Sequence, residues 1–147
     1  GWGPAHLELR VTNRGIRIIE VNPRLAGGFI PRLVRLSLGV DLIEQTIRLV
    51  SGQVPVLERS LARHASIRFL LPSEDGVFVG ADGIDEAKNL PNVIEVNVYA
   101  QPESKVERRG DFRDRIGHVI ACGPEAHSVR CAAETAHAAI RLRVRPR

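Results

Sequence analysis

The sequence predicts an α+β protein in which an antiparallel hairpin with helices is followed by a small α+β domain of mostly antiparallel strands. Residues 6–22 alternate between apolar and polar types on both sides of a turn. Two stretches with the apolar spacing of helices then begin at Pro31 and Asp41. Short strand patterns resume after residue 60 and lead to an Ala-rich helical stretch. We therefore predict two domains, over residues 1–60 and 61–147.

The hairpin prediction depends on the turn Thr12-Asn13-Arg14-Gly15. A three-residue loop from Asn13 to Gly15, with the glycine in the left-handed conformation, is a favoured connection between antiparallel strands. This loop would place Thr12 opposite Ile16. Counting back along both strands gives the pairs Arg10–Ile18, Glu8–Glu20 and His6–Asn22, and it leaves Leu7, Leu9, Val11, Ile19 and Val21 on the other face.

Two helices are predicted after the hairpin. Pro31 suits a first helical position and Gly39 suits a stop, so the first helix should end near Leu38. Asp41 and Glu44 have the spacing of a capping box, and the apolar residues that follow predict a second helix over 42–50. The pattern lapses over 53–60, where we place the domain boundary.

The second domain is predicted from shorter patterns. Strands are expected over 64–71, 77–79, 93–99 and 116–122. A short helix is expected over 85–89 and a longer one over 124–141, where apolar residues share one helical face. Residues 101–115 are polar, and their arginines alternate with acidic residues, so we predict a solvated loop there.

The distribution of charge bears on the kind of partner. The net charge of +4 comes almost wholly from dispersed arginines, because Lys88 and Lys105 are the only lysines. A nucleic-acid-binding surface would cluster its charge and add exposed aromatic residues, so this pattern argues against nucleic acid. The pI near 9.8 still leaves a non-catalytic basic interaction or nucleic-acid-binding module as the alternative function.

Membrane and redox features point to an ordinary cytoplasmic protein. No apolar stretch approaches the roughly 18 residues of a membrane span, and the N-terminus lacks a signal pattern. We therefore expect a cytoplasmic location and no membrane partner. Cys122 and Cys131 each lie in an apolar context, which predicts buried free thiols rather than a disulfide.

The pair of carboxylates on one hairpin face carries the chemical information. Glu8 and Glu20 would lie about 5 Å apart at Cβ, where like charges destabilise a sheet. They would repel by roughly 3 kcal/mol at an effective dielectric near 20, a cost that a divalent cation would reverse. Asn22 shares their face, and an all-oxygen set suits Mg²⁺ or Mn²⁺. The same spacing also fits an exposed pair relieved by Arg10, Arg17 or Arg24.

Two motifs in this region resemble a known superfamily. His6-Leu7-Glu8 and the run from Glu20-Val21-Asn22-Pro23-Arg24 to Gly28 look like the late metal-binding motif of the ATP-grasp superfamily. Within it, they are most similar to the L-amino acid ligases, which are carboxylate–amine ligases. Residues 63–141 resemble the small C-terminal domain of the same ligases, and residues 113–121 are the most alike. The resemblance implies the C-terminal part of an ATP-grasp fold over 1–60, with that small domain behind it.

The resemblance also implies roles for residues. Glu8, Glu20 and Asn22 would ligate Mg²⁺ (or Mn²⁺) ions that bridge the phosphates of ATP, and Arg24 would act as the catalytic cation that contacts the acyl-phosphate or the substrate carboxylate. The backbone of residues 26–28 would border the substrate. His6 shares the Glu8 face, so it is either a supporting or substrate residue or a histidine satisfied by a neighbouring strand.

The resemblance implies partners as well. These would be small carboxylate and amine substrates, with amino acids the expected class, and the N-terminal part of the same enzyme. The ATP-cradling loop and its lysines belong to that earlier part, so we expect this chain to be inactive alone. A homo-oligomer is left open. His118, His127 and His137 lack a nucleophile at any diagnostic spacing, and we assign them structural or surface roles.

Overall fold

The computed structural model describes residues 2–146. The chain is α+β with antiparallel sheets, as the sequence predicts. It divides into two compact units, and the division falls between Ala62 and Arg63. The assignment of domains to 1–60 and 61–147 stays a prediction.

The first unit consists of a hairpin and two helices. Strand β1 (His6–Thr12) pairs with β2 (Gly15–Asn22), and helices α1 (Ile30–Leu38) and α2 (Leu42–Val50) follow. Helix α2 begins as predicted, because the Asp41 carboxylate accepts hydrogen bonds from the backbone N–H groups of Ile43 and Glu44, both at 3.1 Å. Helix α1 ends at Gly39, whose φ of 74° is the left-handed conformation that glycine tolerates.

The predicted pairing of the hairpin is confirmed at one end and wrong at the other. Glu8 lies opposite Glu20 and His6 lies opposite Asn22. Beyond them Arg10 lies opposite Arg17 instead of Ile18, and Thr12 lies opposite Gly15 instead of Ile16. The turn therefore has two central residues rather than three, and Ile19 is the extra residue of a bulge that restores the predicted pairs.

The second unit holds two three-stranded antiparallel sheets. The first sheet has the order β3 (His64–Leu70), β7 (Gly117–Gly123) and β5 (Val93–Val98). The second has the order β6 (Lys105–Val106), β4 (Gly76–Asp82) and β8 (Arg141–Arg145). Helix α4 (Ala126–Ala139) packs on β3 and β7, and the short helix α3 (Ile84–Lys88) packs on β5 and α4.

The core of the second unit is continuous across these elements. Val119 and Ala136 are fully buried where β7 meets α4. Phe78 and Val106 form a second cluster between β4 and β6, and Leu142 of β8 packs against both clusters. Such burial of apolar side chains is the main stabilising term for a unit of this size.

Three predictions for this unit are wrong in detail. The last helix ends at Ala139, and Arg141 begins β8, because the alternation Arg-Leu-Arg-Val-Arg places Leu142 and Val144 on the core side of a strand. The region 101–115 contains β6 and a 3-10 turn, Phe112–Asp114, rather than a loop alone. The predicted strand over 77–79 is the middle of the longer β4.

The cysteines and the helix lengths complete the description. Cys122 and Cys131 form no disulfide within residues 2–146, as predicted, but both are half-buried rather than buried. Among residues 2–146, no helix combines the length and apolar character needed to cross a bilayer.

Candidate metal centre

The hairpin places two carboxylates directly opposite each other. Glu8 in the middle of β1 pairs with Glu20 near the end of β2. Alternate residues of a strand share a face, so Asn22 and its partner His6 lie on the same face as this pair. The pairing of the two strands thus brings together all three predicted ligands, Glu8, Glu20 and Asn22.

No salt bridge neutralises the two carboxylates within the part of the chain that the structure describes. Two residues along β1 from Glu8, Arg10 lies opposite Arg17, which is a like-charged pair of the other sign. These arginines form no ion pair with Glu8 or Glu20 at 4.0 Å or less among the described residues. The predicted alternative, in which a nearby arginine neutralises Glu8 and Glu20 in an exposed ion pair, is therefore not seen among the described residues.

Asn22 and His6 contain polar atoms that are shielded from solvent. Nδ2 of Asn22 and Nδ1 of His6 are both buried, and neither has a hydrogen-bond partner among residues 2–146. Buried polar atoms in proteins are nearly always hydrogen-bonded, so such atoms mark a place where a contact is incomplete. The oxygen donors of Glu8, Glu20 and Asn22 fit a hard divalent cation such as Mg²⁺.

Arg24 lies two residues beyond the end of β2. Its backbone N–H donates to the Asn22 carbonyl at 2.8 Å, which turns the chain out of the strand. Its exposed guanidinium donates from Nη1 to the Leu25 carbonyl at 3.0 Å. This contact does not bring Arg24 to the carboxylates. The loop that follows has left-handed residues at Gly28 and Phe29, with φ of 62° and 68°.

An open cavity of about 540 Å³ lies beside His6 in the same unit. Its lining is mostly apolar and includes Leu7, Leu25, Ala26, Ile30, Leu42 and Leu49. Sequence patterns did not indicate this cavity, because its walls come from four separate segments of the chain.

The second unit contains a buried polar side chain, His118, whose partners the sequence did not indicate. His118 is 1% exposed, and its Nε2 lies 2.8 Å from Glu95 Oε1 while its Nδ1 contacts the Tyr99 hydroxyl. Burial raises the pKa of Tyr99, and the charge of Glu95 raises it further, while Arg115 opposes both. His118 is thus buried in contact with Glu95 and Tyr99, and its structural role stays a prediction.

The basic segment of the second unit is organised by a carboxylate. Asp114 is 6% exposed and accepts hydrogen bonds from the backbone N–H groups of Arg109 and Gly110, at 2.9 and 2.7 Å. The hydrogen bond from Arg109 is the main reason that its pKa is below the usual value. Arg109 also pairs with Glu107, and Arg113 pairs with Asp111. The segment is therefore more ordered than the predicted loop.

Comparison with known proteins identifies the second unit. The family of the L-amino acid ligase C-terminal domain 2 matches residues 68–145, which is more than half of the chain. The uncharacterized protein y4rH of Sinorhizobium fredii is 44% identical over 128 residues, which cover 87% of this chain and 27% of that protein. The chain thus spans about a quarter of the length of the curated relative that it matches.

Solved structures show the same fold at low sequence identity. The chain is similar to phosphoribosylglycinamide synthetase from Anaerococcus prevotii, with a TM-score of 0.81 and 13% identity over 96% of this chain and 37% of that one. It is also similar to an L-amino acid ligase from Bacillus licheniformis, with a TM-score of 0.79 and 19% identity over 97% of this chain and 36% of that one.

A third structure extends the group. N5-carboxyaminoimidazole ribonucleotide synthetase from Thermotoga maritima has a TM-score of 0.72 and 19% identity, and the match covers 96% of this chain and 37% of that one. At these identities the likeness concerns the fold alone, and the family match carries the assignment. The chain belongs to the family of the L-amino acid ligase C-terminal domain 2, and its fold is that of the C-terminal part of an ATP-grasp ligase.

Proposed function

We propose that this chain supplies the metal-binding half of the active site in an ATP-dependent carboxylate–amine ligase, with amino acids as the substrate class. The observation that carries the proposal is the opposition of Glu8 and Glu20 on one face of the hairpin, with Asn22 beside them. Two carboxylates held together without an ion pair among the described residues favour a bound cation. The family of the second unit supports the class of enzyme.

In this proposal the carboxylates of Glu8 and Glu20 and the side-chain oxygen of Asn22 would hold Mg²⁺ (or Mn²⁺), with ATP as the phosphoryl donor. When bound, the cation neutralises negative charge that develops on the phosphoryl group. The substrate carboxylate attacks the γ-phosphorus, ADP leaves, and an acyl-phosphate forms. The amine then attacks the acyl carbon, phosphate leaves with the electrons of the C–O bond, and the amine loses a proton.

Arg24 is the proposed catalytic cation. Its planar guanidinium can bind two oxygens of the acyl-phosphate or of the substrate carboxylate at once. Its side chain is exposed and makes one weak local contact, to the Leu25 carbonyl. It can therefore turn towards a ligand without breaking the fold.

The exposed apolar face of the hairpin supports a further part of the proposal. Leu9, Val11, Ile16 and Ile18 are between 52% and 82% exposed, although their spacing is that of a buried sheet face. Large exposed apolar patches mark surfaces that another polypeptide covers. We infer that the N-terminal part of the same enzyme covers this face and supplies the ATP cradle.

Contacts within residues 2–146 do not favour the alternative of a basic interaction or nucleic-acid-binding module. Arginines of the second unit pair with local acids, as in Arg68–Glu134 at 2.6 Å and Arg145–Glu103 at 2.9 Å. Paired arginines release fewer counterions from a polyanion, which weakens such binding.

The test uses the longer enzyme that contains this chain, assayed for ADP and phosphate release that depend on both an acid and an amine. Glu8→Gln, Glu20→Gln and Asn22→Ala should each lower turnover by on the order of 10²-fold, as for loss of one group that stabilises the transition state. Glu58→Gln removes an exposed carboxylate outside the site and should not change it. Unchanged turnover in the Glu8 and Glu20 variants would refute the proposed site.

A second measurement concerns the chain alone. We expect no measurable ATP hydrolysis or ligation, because metal ligands without a phosphate cradle do not position the reacting groups. ADP formation by the isolated chain, in step with acid and amine, would contradict this expectation.

A further inference from the structure

The strongest feature that the proposed function does not use is the pairing of His6 with Asn22. These residues are direct cross-strand partners at the end of the hairpin, and they are the next pair to Glu8 and Glu20 on the same face. Each contains one buried atom without a hydrogen-bond partner in the described part of the chain, Nδ1 of His6 and Nδ2 of Asn22. Direct cross-strand neighbours have Cβ atoms about 5 Å apart, so their side chains are within reach of each other.

The two atoms are chemically complementary. The side-chain nitrogen of Asn22 is a donor with two N–H bonds, and a ring nitrogen of a neutral histidine can accept. Leaving both atoms buried and unpaired costs free energy that one hydrogen bond between them would recover.

We propose that His6 is a positioning residue, in which Nδ1 accepts a hydrogen bond from Nδ2 of Asn22 and thereby directs Oδ1 of Asn22 towards Glu8 and Glu20. This inference rests on the proposed function, since the oxygen is directed to the cation site. An amide has nearly the same shape in both orientations, so its partners decide which end faces the site. Only the oxygen end can ligate a cation, and outer partners of this kind fix the orientation of metal ligands.

The inference is tested by measuring the affinity of the 147-residue chain for Mn²⁺. Binding is detected as a decrease in the electron paramagnetic resonance signal of the free ion. His6→Phe keeps a ring without an acceptor, and His6→Gln places its oxygen near the position of Nε2. Both should weaken binding about tenfold, which is the usual effect of removing an outer partner. His6→Asn places its oxygen near the position of Nδ1 and should keep the affinity within about twofold of wild type.

A second readout needs no cation. Hydrogen exchange of the Asn22 side-chain N–H groups, measured by nuclear magnetic resonance, should be slow in the wild type and in His6→Asn and fast in His6→Phe and His6→Gln. A purely packing role for His6 would instead make His6→Phe the mildest change. Equal Mn²⁺ affinity and equal exchange rates in all four proteins would overturn the inference.

The two proposals fail in different ways. If Glu8→Gln and Glu20→Gln lower Mn²⁺ affinity while His6→Phe does not, the metal site stands and the role of His6 is refuted. If the glutamate variants bind Mn²⁺ as the wild type does, or the wild type does not bind it, the proposed site is refuted and the inference with it.

Discussion

Glu8 lies opposite Glu20 because a short turn and a bulge offset each other. The two-residue turn pairs Thr12 with Gly15, one position earlier than a three-residue loop would. The extra residue Ile19 then shifts the pairing of the residues beyond it by one position in the opposite direction. Without the bulge, Glu20 would pair with Leu7 and point to the apolar face, since a slip of one residue reverses every side chain. The bulge therefore places the two carboxylates opposite each other on one face.

The first prediction follows from this arrangement. Deletion of Ile19 should give a regular hairpin in which Glu8 still lies opposite Glu20, so Mn²⁺ affinity should stay within about threefold. Deletion of Val21 should move Asn22 opposite Leu7, away from the carboxylates, and weaken binding at least about tenfold. Cross-strand nuclear Overhauser contacts would verify both pairings. Equal affinity in the two deletions would contradict the dependence on register.

The second prediction concerns Tyr99, the only tyrosine in the chain. Because burial and then Glu95 raise its pKa, tyrosinate absorbance should appear with a midpoint above 10 in the folded protein and near 10 in urea. A raised pKa means that the folded state holds its proton longer, so stability should fall as pH rises past 10.

Two variants separate the causes of this shift. Glu95→Gln should lower the midpoint, because it removes a negative charge, and Arg115→Gln should raise it, because it removes a positive one. A folded-state midpoint at or below 10 in the wild type would count against the burial of the Tyr99–His118 contact.

The third prediction concerns Asp114. Because the pKa of Asp114 is lowered in the folded state, its ionised form stabilises the fold. This contribution is fully present above about pH 4, where the unfolded carboxyl is also ionised. It is lost as pH falls through the pKa of Asp114 in the folded protein. Asp114→Asn should lower Tm at pH 7 by on the order of 5 °C. The difference from wild type should shrink below pH 4.

Asp111→Asn is the matched control for this experiment. The pKa of Asp111 is also lowered, to about 2, chiefly by its hydrogen bonds with the Arg113 side chain. Because that pair is exposed, salt and water screen it, and the effect on Tm should be smaller. A larger loss from Asp111→Asn than from Asp114→Asn would show that burial of Asp114 does not govern the segment.

Local patterns predicted the elements that depend on neighbouring residues. The Asp41 cap and the Gly39 stop are set within a few residues, so capping rules were sufficient. The pairing of Glu8 with Glu20 agrees with the prediction only because the bulge at Ile19 offsets the shorter turn. Strand β8 was missed because it pairs with β4, about 60 residues earlier in the chain. The burial of His118 was also not predictable, since Glu95 and Tyr99 reach it only after β5 and β7 pair.

In the site too, features within one hairpin were predicted and features that depend on distant segments were not. Glu8, Glu20 and Asn22 were predicted because one hairpin holds all three, whereas Ile19 was not recognised as a bulge because its apolar side chain fits either register. The cavity beside His6 depends on helix α2 and the segment after it, and no short-range pattern specifies how they pack.

The last prediction concerns Arg24 in the longer enzyme. Arg24→Lys keeps the positive charge but loses the planar pair of donors that an acyl-phosphate or carboxylate requires. Turnover should therefore fall by on the order of 10²-fold, as for removal of one preorganised donor. Tm should not change, because the Arg24 side chain is exposed and its one hydrogen bond is to the adjacent Leu25 carbonyl.

Arg59→Lys makes the same exchange at an exposed position outside the hairpin and should leave both turnover and Tm unchanged. Comparing the two variants separates the shape of the guanidinium from its charge, since both keep the charge and only Arg24 is proposed to bind an oxyanion. If Arg24→Lys retained wild-type turnover, a point charge would suffice there. Arg24 would then be a surface residue, and the oxyanion would have to be bound by another group.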